Sequence, residues 1–307
     1  MPLPFTWSWS RYQTWLRCPR QFWLTVYAAP DAKRAGPGTP EFEVWIQRHL
    51  LGRAQWAGLL AHQAVEWFLK ATVEGRHIDP NGIVERTLRE AKRTLELSST
   101  EFYRGDPKSF RGLADHYYDV PLDGDAMLSQ IETAVRTLLE HPVLARLTEV
   151  PERVVEVEQL SRIRLWGIDI WLSPDVIVSD GQGGFVVVDW KTGRVHKSDA
   201  VTGQLALYAL YVIDRYLRVR ADGTSALPLD RVKGLVAHTS KGAFHNQGVD
   251  TALVSMVRGA ITQSVPKMRG DAVSALGETP PKSAFPMVEE GASACAWCGF
   301  RRTCERE

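Results

Sequence analysis

The sequence predicts an α/β fold, a strand-rich core over residues 150–240 flanked by helices. Three observations carry this expectation. Before residue 150 the apolar residues recur at three- and four-residue intervals, the period of an amphipathic helix. After Pro151 the pattern changes to short β-rich segments, VVEVEQL, IRLWGIDIWL, DVIV and FVVVDW, separated by Ser, Pro and Gly turns such as Asp180–Gly184. From Asp199 to about Arg218 helical spacing returns through Leu205, Tyr208, Ala209, Val212 and Tyr216, and a further strand, RVKGLVAHT, follows.

Taken in order, the amino-terminal unit (1–30) holds a helix that Ser8 or Ser10 can cap, with Tyr12, Trp15, Leu16, Phe22, Trp23 and Val26 at helical intervals. Pro19 perturbs that helix, and Cys18 sits inside it. Residues 30–40 are polar and rich in Pro and Gly, so they read as a linker or exposed loop. A helical region follows over 41–149. Its first part, Glu41 to about Glu74, suits one long amphipathic helix or two in series, and further helices are expected at about 81–97 and 125–147. Residues 98–125 show no clear period and read as an insertion. The strand core (150–240) is followed by a carboxy-terminal helix and a cysteine-bearing segment over 241–307.

Composition excludes more than it identifies. A hydrophobic fraction of 44% with 24% charged residues is that of a globular protein rather than a disordered or fibrous one. Lys and Arg (37) nearly cancel Asp and Glu (36), so contact with a polyanion would need a local basic patch. No run of about 18 apolar residues exists, and the amino terminus lacks a basic stretch leading into an apolar one. The expectation is a cytoplasmic protein that does not cross a membrane.

The four cysteines are unevenly placed: Cys18 near one end, and Cys295, Cys298 and Cys304 within the last 13 residues. Disulfides are unfavourable in a reducing cytosol, and the Cys-x-x-Cys pair brings two thiolates within reach of one metal centre. Four thiolates without histidine fit either structural zinc or an iron–sulfur cluster. Either would bring the termini together and close a very long loop.

The strand core carries the chemistry. Asp175 follows Pro174, and Asp189-Trp190-Lys191 follows 14 residues later, so the two acids fall at the ends of adjacent strands. Alternation along a strand puts Asp189 and Lys191 on one face. Paired carboxylates form a hard-oxygen site suited to Mg²⁺ or Mn²⁺, and a nearby ammonium can orient water or steady a phosphate in transition. Asp-x-Lys alone is often a surface ion pair, but here it ends the apolar run Phe185–Val188, where a charge needs a partner. His62, in Gly58-Leu-Leu-Ala-His62 with Glu66 a turn later, and Gln204 with Tyr208 four residues on, lie on helices before and after these strands.

GxxxH, Pro-Asp, DxKTG and QxxxY, in that order and with this cysteine layout, resemble the iron–sulfur PD-(D/E)XK nucleases. That group includes the RecB-like and AddB-type nuclease domains and the CRISPR-associated adaptation exonucleases. The resemblance runs from Ser8 to Cys304 and is weakest over 75–150. It implies a restriction-endonuclease-like core, a mixed sheet flanked by helices, with a helical amino-terminal region and an Fe–S clasp joining the termini. It implies His62, Asp175, Asp189 and the Trp190 carbonyl as ligands of Mg²⁺ or Mn²⁺, Lys191 as the catalytic lysine, and Gln204 and Tyr208 as groups that position DNA or Lys191. It favours a [4Fe–4S] cluster over zinc on Cys18, Cys295, Cys298 and Cys304. Many relatives carry Gly-x-x-Asp at the first carboxylate, so Asp169 is a rival to Asp175; the shorter separation from Asp189 favours Asp175 within one hairpin.

The expected activity is metal-dependent exonucleolytic hydrolysis of DNA, single-stranded or frayed at an end, in recombination, repair, replication or defence. The alternative is a non-catalytic Fe–S subunit that binds DNA within a larger nuclease or helicase complex; a structural zinc protein with an unrelated core ranks last. No GxxxxGK[ST] is present, so any ATP-driven unwinding would come from a helicase partner. Eleven tryptophans, four of them in the first 23 residues, offer base-stacking surfaces or core. Arg11, Arg17, Arg20, Arg301, Arg302 and Arg306 would form a basic rim if the termini meet.

Overall fold

Strand β5 (Phe185–Lys191) is buried on both sides because alternate residues feed two different cores, Val187 one and Val188 the other. The computed structural model describes residues 5–192, 199–223, 226–238, 243–270, 279–289 and 292–304. Around β5 stand β1 (Val154–Val157), β4 (Val176–Ser179), β6 (Val232–His238) and β7 (Ala243–Gln247), in the order β1-β4-β5-β6-β7. The β5/β6 pair is parallel and the others antiparallel, so the sheet is mixed. The parallel step needs a crossover, and α10 (Asp199–Arg215) supplies it.

On one face, Leu205, Leu210 and Val212 of α10 and Val257 and Ile261 of α11 (Thr251–Met268) pack against Ile177, Val187 and Val236, with Trp7 and Phe22 closing the edge. On the other face, Val176, Val188, Trp190 and Ala237 meet the helical region: α5 (Arg53–Val73), α6 (Pro80–Ser99), α8 (Gly124–Leu139) and α9 (Pro142–Glu149). Among the described residues no helix is long and apolar enough to cross a membrane.

The expected elements appear with these boundaries, two of the divisions, at Pro19 and within Glu41–Glu74, being among the forms expected. The first helix divides at Cys18, whose backbone is extended (φ −161°, ψ 110°), into α1 (Trp9–Arg17) and α2 (Pro19–Trp23). Pro19 takes the first helical turn, where no N–H is needed, and the Cys18 sulfur caps it. Residues 30–40 are only partly loop: a π-helical turn (Leu24–Ala28), α3 (Ala29–Ala32) and a 3₁₀ turn (Lys33–Ala35) carry the chain to Gly36. The Glu41–Glu74 stretch is two helices, α4 (Phe42–His49) and α5, interrupted where Leu51 bridges to Leu113. The 125–147 stretch breaks into α8 and α9 at Pro142, with the His141 ring capping Val143 N–H. Residues 98–125 fold against α4: Tyr103 and Tyr117, the latter in α7 (Ala114–Tyr117), are buried beside Phe42, Trp45 and Ile46. IRLWGIDIWL forms a separate hairpin, β2 (Ser161–Leu165) and β3 (Ile168–Leu172), turning at Trp166 and Gly167, both at positive φ.

Candidate active site and cysteine cluster

The antiparallel register Val176↔Val188 sets Asp175, one residue before β4, across from Asp189 in β5. Both acids are buried, Asp175 at 7% exposure and Asp189 at 1%. Asp175 Oδ2 accepts from Trp190 N–H at 2.6 Å, which ties the start of one strand to the end of the other. Asp189 Oδ2 lies 2.6 Å from Lys191 Nζ, while its Oδ1 has no hydrogen-bond partner among the described residues. Burial pushes the Asp189 carboxyl up, to about 6, and the Asp175 charge adds to the rise. Asp175 is raised as well, first by burial, with His62 pulling the other way.

Helix α5 brings in His62, whose Nδ1 stands 3.3 Å from Glu158 Oε1 and 3.7 Å from Asp175 Oδ2. The approach is close because Gly58 has no side chain: a Cβ there would meet the Thr192 hydroxyl at 2.9 Å, just after β5. That contact gives the Gly-x-x-x-His spacing a physical meaning. Burial works against a charged His62 ring, but Asp175, Glu158 and Asp189 together outweigh it and raise the imidazole to about 9. Glu158 had no role in the sequence pattern. The β1/β4 pairing brings it here, its N–H donating to Asp175 O at 2.9 Å, and the only sequence signal was an acid closing a strand.

Helix α10 faces the other side of Lys191. Lys191 Nζ donates to Gln204 Oε1 (3.3 Å), Gln204 Nε2 to Tyr208 OH (2.6 Å), and Tyr208 OH to Ser173 O (2.9 Å). The relay ends two residues before Asp175. Tyr208 is raised well above its ordinary pKa, chiefly by burial, so it stays a neutral donor. The Trp190 ring points to the opposite face, edge-on to His141.

The rival carboxylate is elsewhere. Asp169 lies on the β2/β3 hairpin, with Oδ1 3.4 Å from Arg164 and its backbone oxygen accepting from Trp7 N–H. Glu66 also turns away, onto Lys70. The glycine of DxKTG, Gly193, lies outside the described residues.

Cys18, Cys295, Cys298 and Cys304 line one cavity, together with Gln21, Met287 and Arg301. None forms a disulfide. Cys18 Sγ accepts from Gln21 N–H and Cys298 Sγ from Phe300 N–H, each at 3.4 Å. Burial raises the Cys298 thiol to about 11, and its three neighbouring sulfurs add to that.

The amino-terminal tryptophans are largely core rather than a stacking surface. Trp7 is fully buried with its indole N–H on Ser264; Trp9 packs over Gly203, and the Trp23 indole N–H binds Pro280 O. The basic rim is mostly committed. Arg11 is held by Thr6, Arg20 by Phe285 O, Arg301 lies over the Tyr118 ring, and Arg302 stands 3.8 Å from Asp119. Arg17 is exposed, and Arg306 lies outside the described residues.

No curated protein matches the chain. A solved structure titled "Crystal structure of SSO0001" aligns over 80% of this chain and 94% of its own, at 15% identity and a TM-score of 0.30. The family model of the PD-(D/E)XK nuclease superfamily matches residues 6–305, the helical region, the mixed sheet and the cysteine segment alike, and the chain is a member of that superfamily.

Proposed function

We propose that the protein is a divalent-metal-dependent deoxyribonuclease that trims single-stranded or end-frayed DNA, with His62, Asp175, Asp189 and the Trp190 carbonyl holding the cation. The observation that carries this reading is the buried pair Asp175 and Asp189 across β4 and β5, with Lys191 on one side and His62 on the other. The donor set fits a hard cation. Two buried carboxylates with raised pKa values and an unpartnered Oδ1 on Asp189 are costly to bury alone and are relieved by a positive charge. Bound there, a divalent cation supplies Lewis acidity that offsets phosphate charge and acidifies a coordinated water.

The chain's own groups do the rest. Lys191, held by Gln204 through Tyr208, directs its ammonium toward the space above Asp189, where it steadies the phosphate and orients the attacking water. Exonucleolytic mode and preference for single strands come from the resemblance to the iron–sulfur nucleases.

The same reading assigns a [4Fe–4S] cluster to the four cysteines. Four thiolates lining one cavity suit either zinc or a cluster, and the preference for the cluster comes from the resemblance to the iron–sulfur nucleases. Two backbone N–H groups already point at cysteine sulfurs, as cluster ligation favours.

The test is to incubate anaerobically purified protein with end-labelled single- and double-stranded DNA and Mg²⁺ or Mn²⁺, beside Lys191→Ala and Asp189→Ala, and to follow product lengths. Cleavage that needs metal and disappears in both variants is expected. Wild-type protein that binds DNA yet leaves every substrate intact would replace the nuclease with a DNA-binding subunit.

A further inference from the structure

Glu158 belongs to no recognised motif, yet its carboxylate, the His62 ring nitrogen and the Asp175 carboxylate lie within 4.8 Å of one another. Ligands in adjacent positions around a cation at about 2.1 Å stand about 3 Å apart, and opposite ones about 4.2 Å. The observed separations, 3.3 Å from His62 to Glu158 and 3.7 Å from His62 to Asp175, fall between these limits. Two further features single the residue out. Its φ is +46°, a left-handed conformation that L side chains with a Cβ rarely adopt and that persists where the surroundings impose it. Here the N–H of Glu158 is fixed on the Asp175 carbonyl at 2.9 Å, so the backbone that turns the glutamate inward is tied to the residue it faces. Beside the triad, Asp189 is almost fully buried, and its Oδ1, with no hydrogen-bond partner among the described residues, offers a fourth donor atom.

The geometry points to Glu158 as a direct ligand of the site's cation, forming with His62 and Asp175 a three-sided cradle that Asp189 completes. This rests on the proposed metal-dependent reading. It adds a ligand from the residue just after β1, so the edge of the sheet would hold the ion together with α5 and the β4/β5 pair. The competing role is narrower: Glu158 would only accept a hydrogen bond from His62 and orient the ring.

The experiment is calorimetric titration of metal-stripped, cluster-intact protein with Mn²⁺ in the absence of DNA, using wild type, Glu158→Gln, Glu158→Asp, Asp175→Asn and the distant control Asp169→Asn. The expected result is a Kd raised at least tenfold in Glu158→Gln and in Asp175→Asn, partly recovered in Glu158→Asp, and within twofold of wild type in Asp169→Asn. Melting of the metal-free proteins shows whether each folds, and the rise in Tm on adding Mn²⁺ should shrink in Glu158→Gln. Wild-type affinity in Glu158→Gln with weakened binding in Asp175→Asn removes Glu158 from the ligand set while leaving the metal site standing. Wild type that takes up no Mn²⁺ overturns the metal site itself, and the role of Glu158 with it.

Discussion

His62 sits among three carboxylates, and its raised pKa of about 9 has two measurable consequences. At pH 7.5 the metal-free ring is protonated, whereas a metal ligand must be neutral, so loading the site should release close to one proton. Calorimetry of Mn²⁺ binding in two buffers of different ionisation enthalpy reads that number; it should fall toward zero above about pH 10, and no release at pH 7.5 would separate His62 from the metal. The sign for stability follows from linkage. A folded pKa above the unfolded value of about 6.5 gives stability that is complete below 6.5 and lost as pH rises through 9. Asp189, raised from 3.8 to about 6, favours the protonated fold, so that contribution is lost between those two values. Metal-free protein should therefore melt at progressively lower temperature from pH 4 to pH 9, and Mn²⁺ should reverse most of the fall at the alkaline end. At this scale the sequence anticipated that Asp175, Asp189, Lys191 and His62 come together, because each stands in a short pattern of fixed spacing. Glu158 was not legible, since strand pairing across the β2/β3 hairpin brings it in and no local spacing records that step.

Elements position these residues through a few contacts that can be broken singly. On α10 the four-residue spacing puts Gln204 and Tyr208 on one face, as the helical period in the sequence indicated, so that Tyr208 holds the amide that meets Lys191. Tyr208→Phe removes the hydroxyl that both accepts from Gln204 and donates to Ser173 O, leaving buried groups unpaired at a cost of about 1–3 kcal/mol. Turnover should drop about tenfold with Mn²⁺ affinity unchanged, because the lysine and not the metal loses its support; equal loss in both would assign Tyr208 to the fold alone. On α5 the contact is steric. Gly58→Val drives a branched side chain into Thr192 and should destabilise by about 1–3 kcal/mol in a denaturant melt, with Mn²⁺ binding weakened because His62 is pushed back one turn later. Helix and strand types were readable from period and β-branching, as were the perturbation at Pro19 and the option of two helices over Glu41–Glu74, but the break points themselves were not. The divisions at Cys18 and Leu51 coincide with tertiary partners, a cysteine cavity and the Leu113 bridge, whereas the one at Pro142 carries a local histidine cap.

Across the whole molecule, the carboxy-terminal cysteine segment meets the rest of the chain at the cavity that Cys18 lines with Cys295, Cys298 and Cys304, where the proposed cluster would tie the termini. It is also held by a polar clamp that the sequence did not disclose: Tyr118 OH donates to Gly299 O, Thr303 Oγ1 to Gln47 Oε1, and Gln47 Nε2 to Tyr117 OH. Residues 98–125, which carried no readable pattern, take part in two of that clamp's three hydrogen bonds. The proposed cluster and the clamp make different predictions for Cys298→Ser. A covalent closure of so long a loop removes unfolded-chain entropy worth roughly 5 kcal/mol in the chain-entropy description, whereas each clamp hydrogen bond contributes about 1 kcal/mol. If the cluster is the dominant tie, the variant should lose iron and acid-labile sulfide together and melt about 10 °C lower, since a kilocalorie moves Tm by roughly 2–4 °C in proteins somewhat smaller than this. Retention of the wild-type Tm with iron gone would make the clamp sufficient and reduce the cluster to a dispensable brace. A fall in zinc rather than iron would assign the four sulfurs to a structural zinc instead of the proposed cluster.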